Sequence, residues 1–331
     1  MKIAKDNLEK LYELISENRE LYFANQMDKP PKDIFFPQSE TLYSAWREQK
    51  KVSIEPEKLT DEDFVIFGVK PCDLKGIEIL DKVYLSEPVD TYYAARRDHG
   101  TIIVLACSEP EETCFCTAFG IEPFNASGDI TIWFVDETVY WQPVTSKGNA
   151  LTENLKSILE DVKANDQVHL NTHKQRTKEI LKKLPFADLS LEGWHNADLM
   201  KKFESPLWDD LHKACLACGT CTFLCPTCQC YDIKDYSKGG SVKRYRCWDS
   251  CMYSDFTLMA HGNNRTTQMQ RFRQRFMHKL VYFPENYDGI YSCVGCGLCV
   301  EKCPSALNIV KVIKAFSIED VEKGRGEKAN D

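Results

Sequence analysis

The sequence has 331 residues, of which 43% are hydrophobic and 28% are charged, and its formal net charge is −8. This length allows two domains with separate cores, and the negative charge argues against general nucleic-acid binding. The longest apolar runs, FVIFGV and TIIVLA, are far shorter than a membrane span, and the opening MKIAKDNLEKLYELI lacks the apolar core of a secretion signal. We therefore expect a cytoplasmic protein that does not enter a membrane.

The first 145 residues are predicted to form an α/β domain. Apolar residues recur at helical spacing between residues 3 and 24 and predict an opening amphipathic helix; they are Leu8, Leu11, Leu14, Ile15 and Leu21. FVIFGV and TIIVLAC are predicted strands, and the helical pattern between them completes a βαβ unit. DITIWFV and TVYWQPV, joined at Asp136-Glu137, predict a hairpin.

The rest of the chain is predicted to be mainly helical. Residues 146–206 are charged and indicate a packed helical connector, or more simply a solvated helical face. Residues 207–320 carry cysteine-rich loops, a helix over about 266–282 and a last amphipathic helix near 306–320, and residues 321–331 are an expected frayed tail. The predicted fold class is therefore α+β, with an N-terminal α/β domain followed by a C-terminal α-helical ferredoxin-like domain.

Sixteen cysteines in a cytosolic chain are poorly explained by disulfides and indicate metal ligands. CLACGTCTFLCP, starting at Cys215, fits the spacing C-x2-C-x2-C-x3-C-P, and CVGCGLCVEKCP, starting at Cys293, fits it again. Three thiolates at this spacing wrap one 4Fe-4S cluster, and the fourth ligates the other cluster when two runs pair. The predicted ligand sets are therefore crossed: Cys215, Cys218, Cys221 and Cys303 for cluster one, and Cys293, Cys296, Cys299 and Cys225 for cluster two.

A pair of zinc sites is the competing interpretation of these runs. Zinc sites use two cysteine pairs and need neither a third thiolate in each run nor a trailing proline, so the spacing favours 4Fe-4S clusters. The long segment between the runs suggests an α-helical ferredoxin, in which helices separate the two ligand loops.

A third cluster is predicted in the first domain. Cys72 follows the strand FVIFGV, and Cys107, Cys114 and Cys116 lie in or after the end of TIIVLA. Loops at the carboxyl ends of neighbouring parallel strands meet at one sheet edge, so these four thiolates are candidate ligands. The alternative is that they are unliganded cysteines that pack as small hydrophobes.

Three interpretations remain open for the last four cysteines: a further metal site, a dithiol pair, or simple packing. These cysteines are Cys228, Cys230, Cys247 and Cys251. Several arginines surround this region, namely Arg244, Arg246, Arg265, Arg271, Arg273 and Arg275. One interpretation is that these arginines neutralise acidic neighbours. The other is that their positive charge raises the reduction potentials of nearby clusters or docks an acidic partner.

Several motifs together resemble one family: KPCDLKGIEILDKVY, TCFCTAFG, CPTCQCYD, WDSCMYSDFT, RFRQRFMHK, CVGCGLCVEKCP and the early FFPQSETLYSAW. The chain is similar to the beta subunits of cytosolic NAD(P)-linked sulfhydrogenases and to the A subunit of anaerobic sulfite reductase. The resemblance covers most of residues 30–315, and Cys247, just before WDSC, departs from it.

The resemblance implies a non-catalytic electron-transfer subunit. Its expected partners are a flavin subunit that oxidises NAD(P)H and a catalytic hydrogenase or sulfite reductase subunit. The sequence agrees, because it has no G-x-G-x-x-G turn and no P-loop. The alternative function is a thiol, disulfide or sulfur-compound reductase acting at its own metal-thiolate site, and a zinc-based interaction scaffold is a third.

Overall fold

The computed structural model describes residues 1–194 and 198–317. The chain divides into two compact units. The first comprises Met1–Phe35, Leu59–Asp188 and Val294–Gly297, and the second comprises Phe36–Lys58, Leu189–Cys293 and the residues from Leu298 onward.

The described residues contain strands and helices in both units. In chain order the strands are β1 (Lys2–Ala4), β2 (Glu20–Phe23), β3 (Ser39–Glu48), β4 (Lys51–Pro56), β5 (Phe64–Val69), β6 (Gly100–Leu105), β7 (Ile130–Val135), β8 (Thr138–Pro143), β9 (Tyr231–Lys238), β10 (Ser241–Trp248), β11 (Leu258–Met259) and β12 (Gly262–Asn263). The α-helices are α1 (Leu8–Ser16), α2 (Lys32–Phe35), α3 (Pro71–Tyr84), α4 (Thr91–His99), α5 (Ser146–Asn154), α6 (Ala164–Leu181), α7 (Leu199–Phe203), α8 (Leu207–Leu211), α9 (Thr220–Phe223), α10 (Gln268–Met277), α11 (Phe283–Asn286) and α12 (Leu298–Glu301). Residues 309–317 are also helical.

The first unit is built on a six-stranded sheet in the order β1-β8-β7-β6-β5-β2. Strands β2, β5, β6 and β7 pair in parallel, and β8 returns antiparallel to β7 as the predicted hairpin. The predicted βαβ unit is confirmed, with one more helix than expected, because α3 and α4 connect the neighbouring parallel strands β5 and β6. Both strands are almost entirely buried, which explains their continuous apolar sequence.

The opening helix is shorter than predicted. Helix α1 ends at Ser16, and Leu21 lies in β2, where it pairs with Val65 of β5. The helical half buries Leu11 and Ile15 completely in the core of this unit. Leu21 matched the helical spacing of 3.6 residues by coincidence, because a single apolar residue in a short strand does not show whether the segment is helix or strand.

The second unit contains a sheet that the sequence did not predict. Its order is β4-β3-β10-β9, and β9 and β10 form an antiparallel hairpin turning at Gly239 and Gly240, both with positive φ. The prediction of an all-helical ferredoxin-like domain is therefore incomplete. Segment Phe36–Lys58 supplies β3 and β4 to this sheet, whereas a continuous first domain was predicted to contain it.

The predicted helices of the later chain are largely present. Helices α5, α6 and α7 lie in the expected connector, and α10 continues into a π-helix over His278–Tyr282. The last predicted helix is seen over residues 309–317, while its end and the expected frayed tail lie outside the described residues. Within the described ranges, none of the helices combines the length and apolarity needed to cross a bilayer.

Candidate metal centres

The first cysteine run surrounds a cavity in the second unit. Ala217 and Gly219, which flank Cys218, both take positive φ and turn the loop back on itself before α9. The cavity, about 30 Å³, exceeds the roughly 10–15 Å³ that a single buried water needs. Its cysteines are Cys215, Cys218, Cys221, Cys299 and Cys303. The structure thus brings together all four residues predicted as the ligands of cluster one, although Cys303 is distant in sequence.

Cys225, the remaining cysteine of the first run, faces other groups. Its Sγ lies 3.4 Å from Lys279 Nζ and 3.2 Å from Thr227 Oγ1, and it is not among the residues that line the cavity. A hydrogen bond from the Cys228 thiol, helped by the charges of Lys279 and Arg275, holds the pKa of Cys225 well below its usual value. This thiol is therefore readily available as a thiolate ligand.

Two buried cations accompany these thiols. Arg275 and Lys279 are each 3% exposed, and within residues 1–194 and 198–317 their hydrogen-bond contacts are with sulfur, hydroxyl and carbonyl groups rather than with carboxylates. Burial alone would lower the pKa of Lys279, but the thiols of Cys225, Cys228 and Cys293 raise it above its usual value. Arg275 behaves in the same way. Burial alone would lower its pKa, but the surrounding thiols, above all that of Cys221, raise it above its usual value.

The second cysteine run is divided between the two units. Cys293 and Cys299 belong to the second unit, and Cys296 lies in Val294–Gly297, which belongs to the first. Burial raises the pKa of Cys299, while Arg275 nearby opposes that rise. Cys299 also lines the cavity described above.

The structure brings the four N-terminal cysteines together in the first unit. Burial, followed by the charges of neighbouring thiols, raises the pKa of Cys107 to about 11 and that of Cys116 to about 12. Burial also raises the pKa of Cys72, the second residue of α3, with Cys116 and Cys114 among its neighbours. Because β5 and β6 are adjacent and parallel, their carboxyl ends place these thiols at one sheet edge, as the sequence predicted.

This N-terminal cysteine loop contacts the short segment that carries Cys296. Phe115 N–H donates to the Gly295 carbonyl at 2.9 Å. Gly295 has a φ of +58°, and a Cβ there would lie 2.6 Å from Cys116 N. Gly297 approaches Thr113 equally closely, since a Cβ on it would lie 2.6 Å from the Thr113 carbonyl oxygen. Only glycine permits this backbone approach.

The last four cysteines are not one group. Cys230 and Cys251 are hydrogen-bonded to each other, which lowers the pKa of Cys230 and raises that of Cys251 well above its usual value. Cys228 is also a neighbour of Cys230. Cys247 stands apart on β10, where its neighbours are Lys234, Asp232 and Asp249. A site using all four is therefore not supported by their placement.

Five of the six arginines separate by role. Arg244 pairs with Asp235 and Arg246 with Glu40, whereas Arg271 and Arg273 donate to backbone carbonyls. Arg275 differs, because its Nη1 lies 3.5 Å from Cys228 Sγ and it lines the cavity. Lys279 was not predicted as part of this group, although its position one helical turn after Arg275 was a usable signal.

The donor chemistry of these sites fits iron–sulfur clusters. The candidate ligands at the cavity and at the N-terminal edge are thiols, which are the ligands that hold such clusters. Arg275 lines the cavity, and its buried Nε has no hydrogen-bond partner among the described residues, so this donor is available to a nearby anion. Across residues 1–194 and 198–317, no three His, Cys, Asp or Glu side chains are arranged to hold a single metal ion.

Comparison with known proteins agrees with this donor set. Residues 214–307 match the family described as a 4Fe-4S dicluster domain, so the class is that of iron–sulfur electron-transfer proteins. The chain is also 35% identical over 287 residues to the sulfhydrogenase 2 subunit beta of Pyrococcus furiosus, covering 86% of this chain and 81% of that protein. The chain therefore belongs to the sulfhydrogenase beta subunit family. No solved structure matches it significantly.

Proposed function

We propose that this chain relays electrons between a flavin subunit that oxidises NAD(P)H and a catalytic hydrogenase or sulfite reductase subunit. The observation that carries the proposal is the cavity lined by Cys215, Cys218, Cys221 and Cys303, with Cys299 also in its lining. A 4Fe-4S cluster bound there would accept and donate single electrons.

The residues of the chain have distinct parts in this proposal. Thr220 hydrogen-bonds Cys218 and lowers its pKa, which favours the thiolate needed for ligation. Cys218 is the exposed cysteine of the set, so the solvent side of this site is where a redox partner would approach. Cluster two, with Cys225, Cys293, Cys296 and Cys299, follows from the spacing of the two runs.

The first unit supports a third cluster held by Cys72, Cys107, Cys114 and Cys116. Its loop is hydrogen-bonded through Phe115 to Gly295, next to Cys296. An electron on a cluster held by these four thiolates would be separated from the segment carrying Cys296 by a short backbone contact. In this proposal the α/β unit has a role in the relay rather than only in docking.

The proposed partners are consistent with the relative, whose name describes one subunit of a sulfhydrogenase. Anaerobic purification of the full chain from its source should recover a flavin-containing polypeptide. The purified chain alone should contain iron and sulfide, and NAD(P)H should reduce it only after the flavin subunit is added. A flavin-free chain that oxidises NAD(P)H by itself would contradict the relay.

A second candidate is reduction of thiols, disulfides or sulfur compounds by the chain itself. The contact between Cys230 and Cys251, beside Cys228, is the observation that favours it. Turnover of a disulfide or polysulfide by the reduced, isolated chain, abolished in Cys230→Ser, would support this candidate over the relay.

A further inference from the structure

Two buried cations on one helix face the candidate cluster ligands. Arg275 is in α10, and Lys279 follows four residues later in the π-helix His278–Tyr282. Like charges at this spacing repel each other, and each buried charge costs several kcal/mol without compensation. A negatively charged group near Arg275 and Lys279 is therefore needed to compensate their two buried positive charges.

Carboxylates are not that compensation in the described residues. The Lys279 ammonium donates to Thr227 Oγ1 at 2.7 Å and to the Ser292 carbonyl at 2.8 Å, and lies 3.4 Å from Cys225 Sγ. The Arg275 guanidinium donates to the Cys221 carbonyl at 2.8 Å and lies 3.5 Å from Cys228 Sγ. Among the described residues, the contacts of these cations that can carry negative charge are the thiols of Cys225 and Cys228.

The orientation of Arg275 adds an independent observation. Its side chain lines the cavity that Cys215, Cys218, Cys221 and Cys303 surround, and its buried Nε–H has no hydrogen-bond partner among the described residues. A buried, unsatisfied donor at a sulfur-lined cavity is suited to an anionic sulfur group. Arg275 therefore faces the first predicted ligand set, and Lys279 touches Cys225 of the second.

We propose that Arg275 and Lys279 are positioning residues that neutralise the thiolate-bound clusters of the two C-terminal cysteine runs and raise their reduction potentials. This inference rests on the proposed function, because it requires clusters at these thiols. Adding an electron makes a cluster more negative, and fixed positive charge and hydrogen bonds to sulfur stabilise that reduced form. No proton transfer is involved, and the electron comes from the reductant used in the titration.

The test is a dithionite titration of the full, anaerobically purified chain, followed by EPR, with iron and sulfide counted in each sample. Lys279→Gln and Arg275→Gln should each lower the equilibrium constant for reduction of at least one cluster tenfold or more. For one electron this corresponds to a midpoint potential lower by about 59 mV or more. Lys279→Arg and Arg275→Lys keep the charge and should stay near wild type. Arg273→Gln is the matched control, because its guanidinium stacks on Phe203 instead.

The outcomes separate this inference from the proposed function. If the neutral variants lose iron and the charge-keeping variants retain it, neutralisation of the clusters by these cations is supported. Full iron content with unchanged midpoints in the neutral variants would overturn the inference, as would equal shifts in the charge-keeping variants. A wild-type chain that holds no iron after anaerobic purification would instead overturn the proposed function.

Discussion

Cysteines of one run have different surroundings at the residue scale. Cys215, Cys218 and Cys221 line the cavity, while Cys225 contacts Lys279 and Thr227. Spacing alone predicted this separation, because the fourth cysteine of such a run is directed toward the other cluster. The sequence indicated arginines near the predicted clusters, but it did not single out Arg275 or include Lys279, because their contacts with Cys221 and Cys225 depend on how the helix packs.

Replacing Cys225 with Ala tests the crossed ligand sets. We expect the cluster assigned to Cys293, Cys296 and Cys299 to be damaged, because Cys225 is its predicted fourth ligand. The cluster assigned to Cys215, Cys218, Cys221 and Cys303 should persist, because Cys225 does not line the cavity that these four residues line. Iron content and EPR of the reduced chain measure the effect. Cys303→Ala is the reciprocal variant and should damage the cavity cluster. Loss confined to the cluster of its own run, in either variant, would contradict the crossing.

A buried ion pair in the second unit gives a stability prediction. Arg246 Nε lies 2.5 Å from Glu40 Oε2, both side chains are 4% exposed, and the guanidinium lies over the Phe36 and Tyr231 rings. Glu40→Ala leaves a buried arginine without this carboxylate, so we expect a loss of about 3–5 kcal/mol in unfolding free energy. Anaerobic urea unfolding, followed by tryptophan fluorescence, measures it.

The double variant Glu40→Met/Arg246→Met is the control for this prediction. It removes both charges and keeps apolar volume, so it should be destabilised much less than Glu40→Ala. If the double variant is as unstable as the single one, the loss comes from packing around Phe36 and Trp248 rather than from an uncompensated charge.

At the scale of elements, the sequence predicted the buried parallel strands β5 and β6 but not the more exposed antiparallel hairpin β9–β10. FVIFGV and TIIVLA are continuous apolar runs because β5 and β6 are covered on both faces. The hairpin β9–β10 alternates weakly and β9 is largely exposed, so its hydrophobic pattern gave little signal. Gly239-Gly240 was the cue that could have revealed it, because both residues of a tight hairpin turn need positive φ.

The close approach of Gly295 to the N-terminal cysteine loop also leads to a prediction. In Gly295→Ala the new Cβ would clash with the Phe115 carbonyl and Cys116 N, neither of which can rotate away. We expect a lower melting temperature and a loss of iron, because both loops that carry candidate ligands must shift. Thermal unfolding and iron analysis of the anaerobically purified variant measure the two effects.

Gly120→Ala is a matched control in the same unit. Gly120 has a φ of +71°, and beyond its chain neighbours no heavy atom of the described residues lies within 4 Å of the point where a Cβ would stand. It should therefore show only the backbone cost of roughly 1–2 kcal/mol and keep its iron. Equal effects in the two variants would show that backbone strain at positive φ, rather than contact between the loops, is the reason that position 295 requires glycine.

At the scale of the whole molecule, each unit carries its own set of thiols. The second unit holds the cavity set together with Cys225 and the two cations, and the first holds Cys72, Cys107, Cys114 and Cys116 with the Cys296 segment. The chain order of these sets was readable from sequence. The return of Val294–Gly297 to the first unit was not, because it depends on a backbone contact that glycines permit without any hydrophobic pattern.

The number of irons per chain tests this arrangement as a whole. Three clusters would give about twelve irons per anaerobically purified chain, and two would give about eight. Cys114→Ser/Cys116→Ser should lose about four irons, because these thiols lie beside Cys72 and Cys107 at the sheet edge of the first unit. Cys247→Ser is the control with no expected loss, since Cys247 stands apart from the other cysteines. A double variant with the iron content of wild type would leave the α/β unit without a cluster and restrict the relay to the second unit.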